Sequence, residues 1–103
     1  MKREVLNWYA DGKDLEVRIA LPVFLVVRVG WKVFVRNPSS VAILREVRKI
    51  RKYRNFDDLA ANEDPSRICP GMTEKQALVR GLRHVWPISE ERKGVLVFEL
   101  VRC

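Results

Sequence analysis

Strict alternation of apolar and charged residues begins just after Gly12. Leu15, Val17 and Ile19 fall on one side, and Asp14, Glu16 and Arg18 on the other. A period of two is that of a β-strand with one buried face, and it predicts a strand over 14–19. Ahead of it, Val5, Leu6, Trp8 and Tyr9 are spaced for a short amphipathic helix over 3–11. Gly12 ends that helix, because glycine turns the backbone at positive φ without a steric penalty. The polar side of the strand, with Lys13 in the turn, therefore gathers a lysine, two carboxylates and an arginine. Such a side is either a solvated sheet face or the floor of a polar pocket, and spacing alone leaves both open.

At 103 residues there is room for one core, so a single domain over 1–103 is expected. Hydrophobic residues make up 48% of the chain, too many for a disordered tail. The longest uncharged apolar run, Ile19 to Val27, holds nine residues including Pro22. A membrane span needs roughly 20, so none is expected. With no apolar leader-like run near Met1, a cytoplasmic protein is expected. High charge and a single glutamine, Gln76, lean toward a thermophilic source.

Further along, Pro22 interrupts the chain and residues 23–29 read as a strand or a buried turn. Trp31 to Arg36 reads as a second strand, followed by the turn signal Asn37-Pro38-Ser39-Ser40. Residues 41–52 are ambiguous. Val41, Leu44, Val47, Ile50, Tyr53 and Phe56 recur every third residue, between the periods of helix and strand. Asn55 is placed to cap a helix through Asn62, and Asp64-Pro65-Ser66 is a turn signal. Thr73 and Gln76 have capping-box spacing for a helix through about His84, stopped by Pro87. Glu90-Glu91-Arg92-Lys93 reads as a polar connection. Gly94 then releases a final strand, Val95 to Val101, apolar on both faces and so central. Strands outnumber helices, and the helices fall in the connections, an α+β pattern of a small barrel with short capping helices.

Several chemistries are not legible. His84 is the only histidine and lies near a helix C-terminus, where a cation is favoured for structural reasons. Cys69 and Cys103 fit no metal spacing or disulfide framework, although a bridge between them is left open. No phosphate-cradling glycine loop, catalytic triad or zinc motif is present, and no cofactor or metal is expected. The net charge of +7 is concentrated: Arg45, Arg48, Lys49, Arg51, Lys52 and Arg54 stand against one acid, Glu46, in 45–54. A basic stripe of this kind attracts phosphate backbones, and these six are the candidate nucleic-acid contacts.

Taken in order, Gly12-Lys13-Asp14-Leu15-Glu16-Val17-Arg18, Tyr53-Arg54-Asn55-Phe56-Asp57-Asp58-Leu59, Glu63, Pro70-Gly71-Met72-Thr73 and Gly94-Val95-Leu96-Val97-Phe98 resemble a small single-domain ASCH protein of the PUA-like β-barrel group. The resemblance spans nearly the whole chain. It implies a PUA-like barrel in which 41–52 is a long strand bent by β-bulges, which displace the alternation. It also implies RNA or a modified nucleoside or nucleotide as partner; from the apolar runs no membrane association is expected, and a monomer is favoured. Some similar members are amidohydrolases acting on N4-acetylcytidine through a Lys-Thr-Glu set. Lys13 takes the lysine place and Glu63 the glutamate place, while the threonine place falls on Glu16, which offers no hydroxyl nucleophile. Trp31 stands where the group usually has aspartate. The resemblance thus implies two readings. One is a binding domain with a cleft at Lys13–Arg18, in which Arg18, Trp31 and Tyr53 contact the ligand. The other is an amidohydrolase with Lys13 as base, Glu63 as proton donor and Glu16 activating water.

Overall fold

One sheet organises the molecule, in a computed structural model that describes residues 14–36 and 42–102. Its strands are β1 (Leu15–Ile19), β2 (Lys32–Arg36), β3 (Ala42–Tyr53) and β4 (Val95–Arg102). They run in the order β1-β4-β3-β2, every neighbouring pair antiparallel. The last strand in sequence thus lies between the first and third, as its apolar character on both faces requires. The sheet curls into a half-barrel within a small α+β domain. The expected helix over 3–11, the Gly12–Lys13 turn, the Asn37–Ser40 turn and Cys103 lie outside the described residues.

Register assigns each side chain to a face, because residues directly opposite across an antiparallel pair point the same way. Leu15, Val17 and Ile19 face the same side as Glu99, Val97 and Val95, and as Arg51 and Tyr53 on β3. Helices cover this side: α2 (Phe56–Asn62), α3 (Pro65–Ile68) and α4 (Lys75–Val85). Phe56, Leu59, Ile68, Leu78 and Leu82 pack onto Leu15, Val17, Val95 and Val97 as one buried core. Phe56 is fully buried and lies 6.0 Å from Trp86, ring centroid to centroid. Burying a phenylalanine of this kind is worth roughly 1.5–3 kcal/mol. On the opposite side Val35, Val47, Leu96, Phe98 and Leu100 form a second cluster, against Phe24 and Val27. Glu16 and Arg18 belong to this second side, opposite Phe98 and Leu96.

Segment 41–52 forms a strand from Ala42 and carries the irregularity that its periodicity hinted at. The register on β4 slips between Val47 and Lys49, so Arg48 is an extra residue and face parity changes there. Four expectations are corrected. Residues 23–29 form neither a strand nor a buried turn: Pro22 opens a one-turn helix α1 (Pro22–Leu25), and Val23, Val26 and Val29 are exposed. Proline suits the first helical position, where its missing N–H costs nothing. Thr73 does not cap α4, which starts two residues later behind Glu74 with no side-chain cap. Glu91 is no solvated linker residue; it ends α5 (Ile88–Glu91) and is buried. Asp64 does more than turn the chain, accepting from the Ser66 N–H at 3.0 Å to start α3.

Gly94 launches β4 at φ +96°, where an L side chain is strained. A Cβ there would also meet the Lys52 Cε at 3.2 Å and the Tyr53 carbonyl oxygen at 3.5 Å. Gly94→Ala is expected to cost about 1–2 kcal/mol, mostly from the backbone conformation. A denaturant titration checks this, and an unchanged midpoint would contradict it.

Candidate functional site

Two polar centres sit on opposite faces of the sheet. The first grows from β1. Alternation that buries Leu15, Val17 and Ile19 under the helices turns Glu16 and Arg18 to the other side, where α1 and the following loop arch over the sheet. Between them lies a trough of about 260 Å³, lined among others by Glu16, Arg18, Phe24, Val33, Phe98 and Leu100. Glu16 is only 4% exposed. Its Oε1 accepts from Arg18 Nη1 at 2.6 Å, and the same nitrogen donates to the Val17 carbonyl at 2.7 Å. The Arg18 guanidinium carbon stands 6.0 Å from the Phe24 ring centroid, at the reach of a cation–π contact. Of the polar side of β1, Glu16 and Arg18 line this trough, whereas Asp14 pairs with Arg67. A charged carboxylate and a guanidinium in an otherwise apolar trough can recognise a planar group bearing both donors and acceptors.

The second centre lies on the helix-covered face, where β3 meets the C-terminal end of α2. Arg51 Nη2 donates to Glu63 Oε1 at 3.0 Å, and its Nε donates to Oε2 in a two-pronged pair. The Tyr53 hydroxyl donates to Glu63 Oε2 at 2.6 Å. Arg51 Nη1 also reaches Glu99 Oε1 at 3.1 Å; Arg67 approaches the same oxygen at 3.3 Å and pairs with Asp14. The Arg51 guanidinium is held firmly charged, foremost by its bond to Glu63. Burial pushes the Glu99 carboxyl up, but Arg51 and Arg67 together outweigh it and hold it below the usual carboxylate range. Burial and the bond to Glu63 push the Tyr53 phenol above its ordinary value. This network ties β3 and β4 to α3, to Glu63 at the end of α2 and to Asp14 just ahead of β1.

The sequence-predicted site residues are therefore divided. Glu16 and Arg18 come together in the trough, whereas Glu63 and Tyr53 are bonded to each other behind the sheet. Glu16 and Glu63 do not share a cavity, and both Glu63 oxygens already accept from Arg51. Lys13 lies outside the described residues. Trp31 is half-exposed ahead of β2, where its carbonyl accepts from the Val47 N–H. The basic stripe does not form one surface. Arg51 is consumed by Glu63 and Glu99, Arg48 lies 3.8 Å from Glu99, and Arg54 lies 3.7 Å from Asp58. Lys49 and Lys52 are exposed but point to opposite faces, and Arg45 lies at the far end of β3. Sequence reasoning missed Phe24, Phe98 and Leu100 as trough lining, and Glu99 and Arg67 as network members. Glu99 had a signal: it is the lone acid within the apolar run of β4. Among the described residues, no cluster of three or more His, Cys, Asp or Glu is placed to hold a metal ion, and no helix is long and apolar enough to cross a membrane.

Sheet order, helix placement and trough together define a small α+β half-barrel domain with a polar-floored cleft. Two solved structures share this fold. The crystal structure of the hypothetical protein PH0355, from Pyrococcus, superposes with a TM-score of 0.80 at 20% identity, covering 97% of this chain and 91% of that one. The solution structure of the protein PF0455 from Pyrococcus furiosus gives a TM-score of 0.69 at 19% identity, covering 94% and 84%. No family model matches the chain, and no curated protein matches it.

Proposed function

We propose that this chain is a PUA-like, ASCH-type binding domain that holds a nucleobase, free or within RNA, in the trough beside Glu16 and Arg18. The observation that carries this reading is the Glu16 carboxylate, 4% exposed and paired with Arg18, in a trough whose other lining residues are apolar. A buried charge contributes little to stability compared with an apolar residue of the same size, so its presence in a cleft points to recognition. A carboxylate accepts from the paired N–H groups of a base edge, the neighbouring arginine donates to a ring nitrogen or carbonyl, and Phe24 and Phe98 offer apolar contact. At about 260 Å³ the trough is slightly smaller than the roughly 300–1,000 Å³ of most ligand pockets, which suits one small planar ring.

Titration calorimetry with the common nucleosides and a short single-stranded RNA tests the reading. Glu16→Gln keeps the shape but removes the charge, and hydrogen bonds to charged groups are worth about 1.5–3 kcal/mol. At least a tenfold loss of affinity is expected. Absence of binding to every nucleoside and to the RNA, or full affinity in Glu16→Gln, would overturn it. Hydrolysis of an N4-acylated cytidine requires Glu63 next to the bound base; with Glu63 engaged by Arg51 and Tyr53, no cytidine release from N4-acetylcytidine is expected.

A further inference from the structure

Register also brings two arginines face to face. Arg45 on β3 is directly opposite Arg102 on β4, and Val33 on β2 is directly opposite Arg45. Two residues further along the same strands, on the same face, lie Val47 and Leu100, which line the trough together with Val33. The arginine pair thus shares a row with the lining residue Val33 and flanks the trough beside Val47 and Leu100. Like charges directly opposite across a sheet repel, and arginine cannot relieve this by losing its proton. Arg45 is half-buried and spends one donor on the Leu44 carbonyl at 2.9 Å, while Arg102 is exposed. Among the described residues, no carboxylate pairs with either one, whereas Arg18, Arg51, Arg67 and Arg83 each pair with a carboxylate.

We infer that Arg45 and Arg102 form a phosphate site flanking the trough, which takes an anionic group of the ligand whose base lies at Glu16. The phosphate site stands on the arginine pair itself; the link to a base rests on the reading of the trough given above. Two guanidinium forks offer the parallel N–H donors that match phosphate oxygens, and a phosphate between them replaces repulsion with two attractions. Glu16 is opposite Phe98, four residues before Arg102, so base and anion sites are about 14 Å apart along the strands at ~3.4 Å per residue. This span suits the far end of a nucleoside triphosphate, or the phosphate of the next residue in an oligonucleotide.

The test compares cytidine, cytidine triphosphate, pyrophosphate and a short RNA by calorimetry and thermal unfolding, on the wild type, Arg102→Glu and Arg102→Gln. In the wild type, the triphosphate is expected to bind at least tenfold tighter than the nucleoside. Arg102→Glu is expected to abolish that advantage and leave nucleoside affinity unchanged. It should also melt no lower than the wild type, since Arg45 gains an opposite charge; Arg102→Gln should lose the advantage with a smaller gain in melting temperature. An RNA whose affinity falls in Arg102→Glu, with no advantage for the triphosphate, assigns the same site to a polynucleotide phosphate. Pyrophosphate that raises the melting temperature of the wild type but not of Arg102→Glu, with no nucleoside bound, keeps the phosphate site and discards the trough reading. Equal behaviour of the wild type and Arg102→Glu towards every phosphate ligand overturns the inference.

Discussion

Replacing Glu91 with alanine is expected to destabilise the domain by about 2–3 kcal/mol at neutral pH. The carboxylate is buried and accepts three hydrogen bonds: from the Phe56 N–H at 3.0 Å, from Arg83 Nε at 3.0 Å and from Arg83 Nη2 at 3.0 Å. It thereby satisfies the first amide of α2 and ties that helix to α4 and α5, while Arg83 continues to Asp57 at 2.8 Å. Breaking a buried pair costs about 3–5 kcal/mol. Arg83 is 42% exposed and regains water when it loses its partner, which lowers the expected loss. For a domain of this size the change amounts to a fall of about 10–20 °C in melting temperature. The Arg83 pair is the main reason the Glu91 carboxyl is held below its ordinary value near 4.5. A depressed carboxylate stabilises the fold above its unfolded pKa, and that contribution is lost as pH falls through the folded value. The gap between wild type and Glu91→Ala should therefore be constant from pH 6 to 8 and shrink in acid. Denaturant titrations at pH 7 and pH 3.5 measure it; a gap that does not change would mean the pair carries none of the effect.

What could be read from the chain before its structure depended on whether neighbours along the sequence decided it. The alternation of β1 and the two-faced apolar character of β4 were legible because strand period and burial are local patterns. Asn55 as a cap was legible for the same reason, and its side chain does accept from the Asp58 N–H at 2.8 Å. In β3 the pattern was ambiguous because one extra residue at Arg48 breaks the alternation between Val47 and Ile50, and because apolar residues fall on both faces of the strand, Leu44 and Tyr53 on the face opposite Val47 and Ile50. The run from Ile19 to Val29 misled in another way. Hydrophobicity does not dictate burial: Val23 in α1 and Val26 and Val29 after it are exposed, and Val23 lines the trough. The site required register, which no local pattern supplies. Glu16 and Glu63 look like partners in the sequence, yet the β1–β4–β3 pairing sets them on opposite faces. The six cations of 45–54 look like one stripe until the pleat and Glu63, Glu99 and Asp58 divide them.

The same division leads to the largest expected effect of a single charge. Arg51→Ala removes the residue that holds two buried carboxylates, Glu63 and Glu99. Tyr53 remains for the first, and Arg67 and Arg48 remain for the second, so neither is wholly orphaned. The loss is still expected to be about 3–5 kcal/mol, within the range for breaking a buried pair and a large part of the 5–15 kcal/mol that holds a typical domain together. Glu99 is held low in the folded state, so its contribution is present above its unfolded pKa and fades as pH falls through the folded one; the deficit of Arg51→Ala should narrow in acid. A double-mutant cycle with Glu63→Ala separates structure from chemistry. Because Arg51 and Glu63 bond each other directly, the double variant should be more stable than the sum of the two single losses by about 0.5–3 kcal/mol. Strict additivity would dissolve the pair. If, in addition, nucleoside affinity at Glu16 is unchanged in a folded Glu63→Gln protein, Glu63 serves the fold alone. Affinity that falls with it would couple the two faces of the sheet, and would return Glu63 to the ligand's account despite its position behind β1.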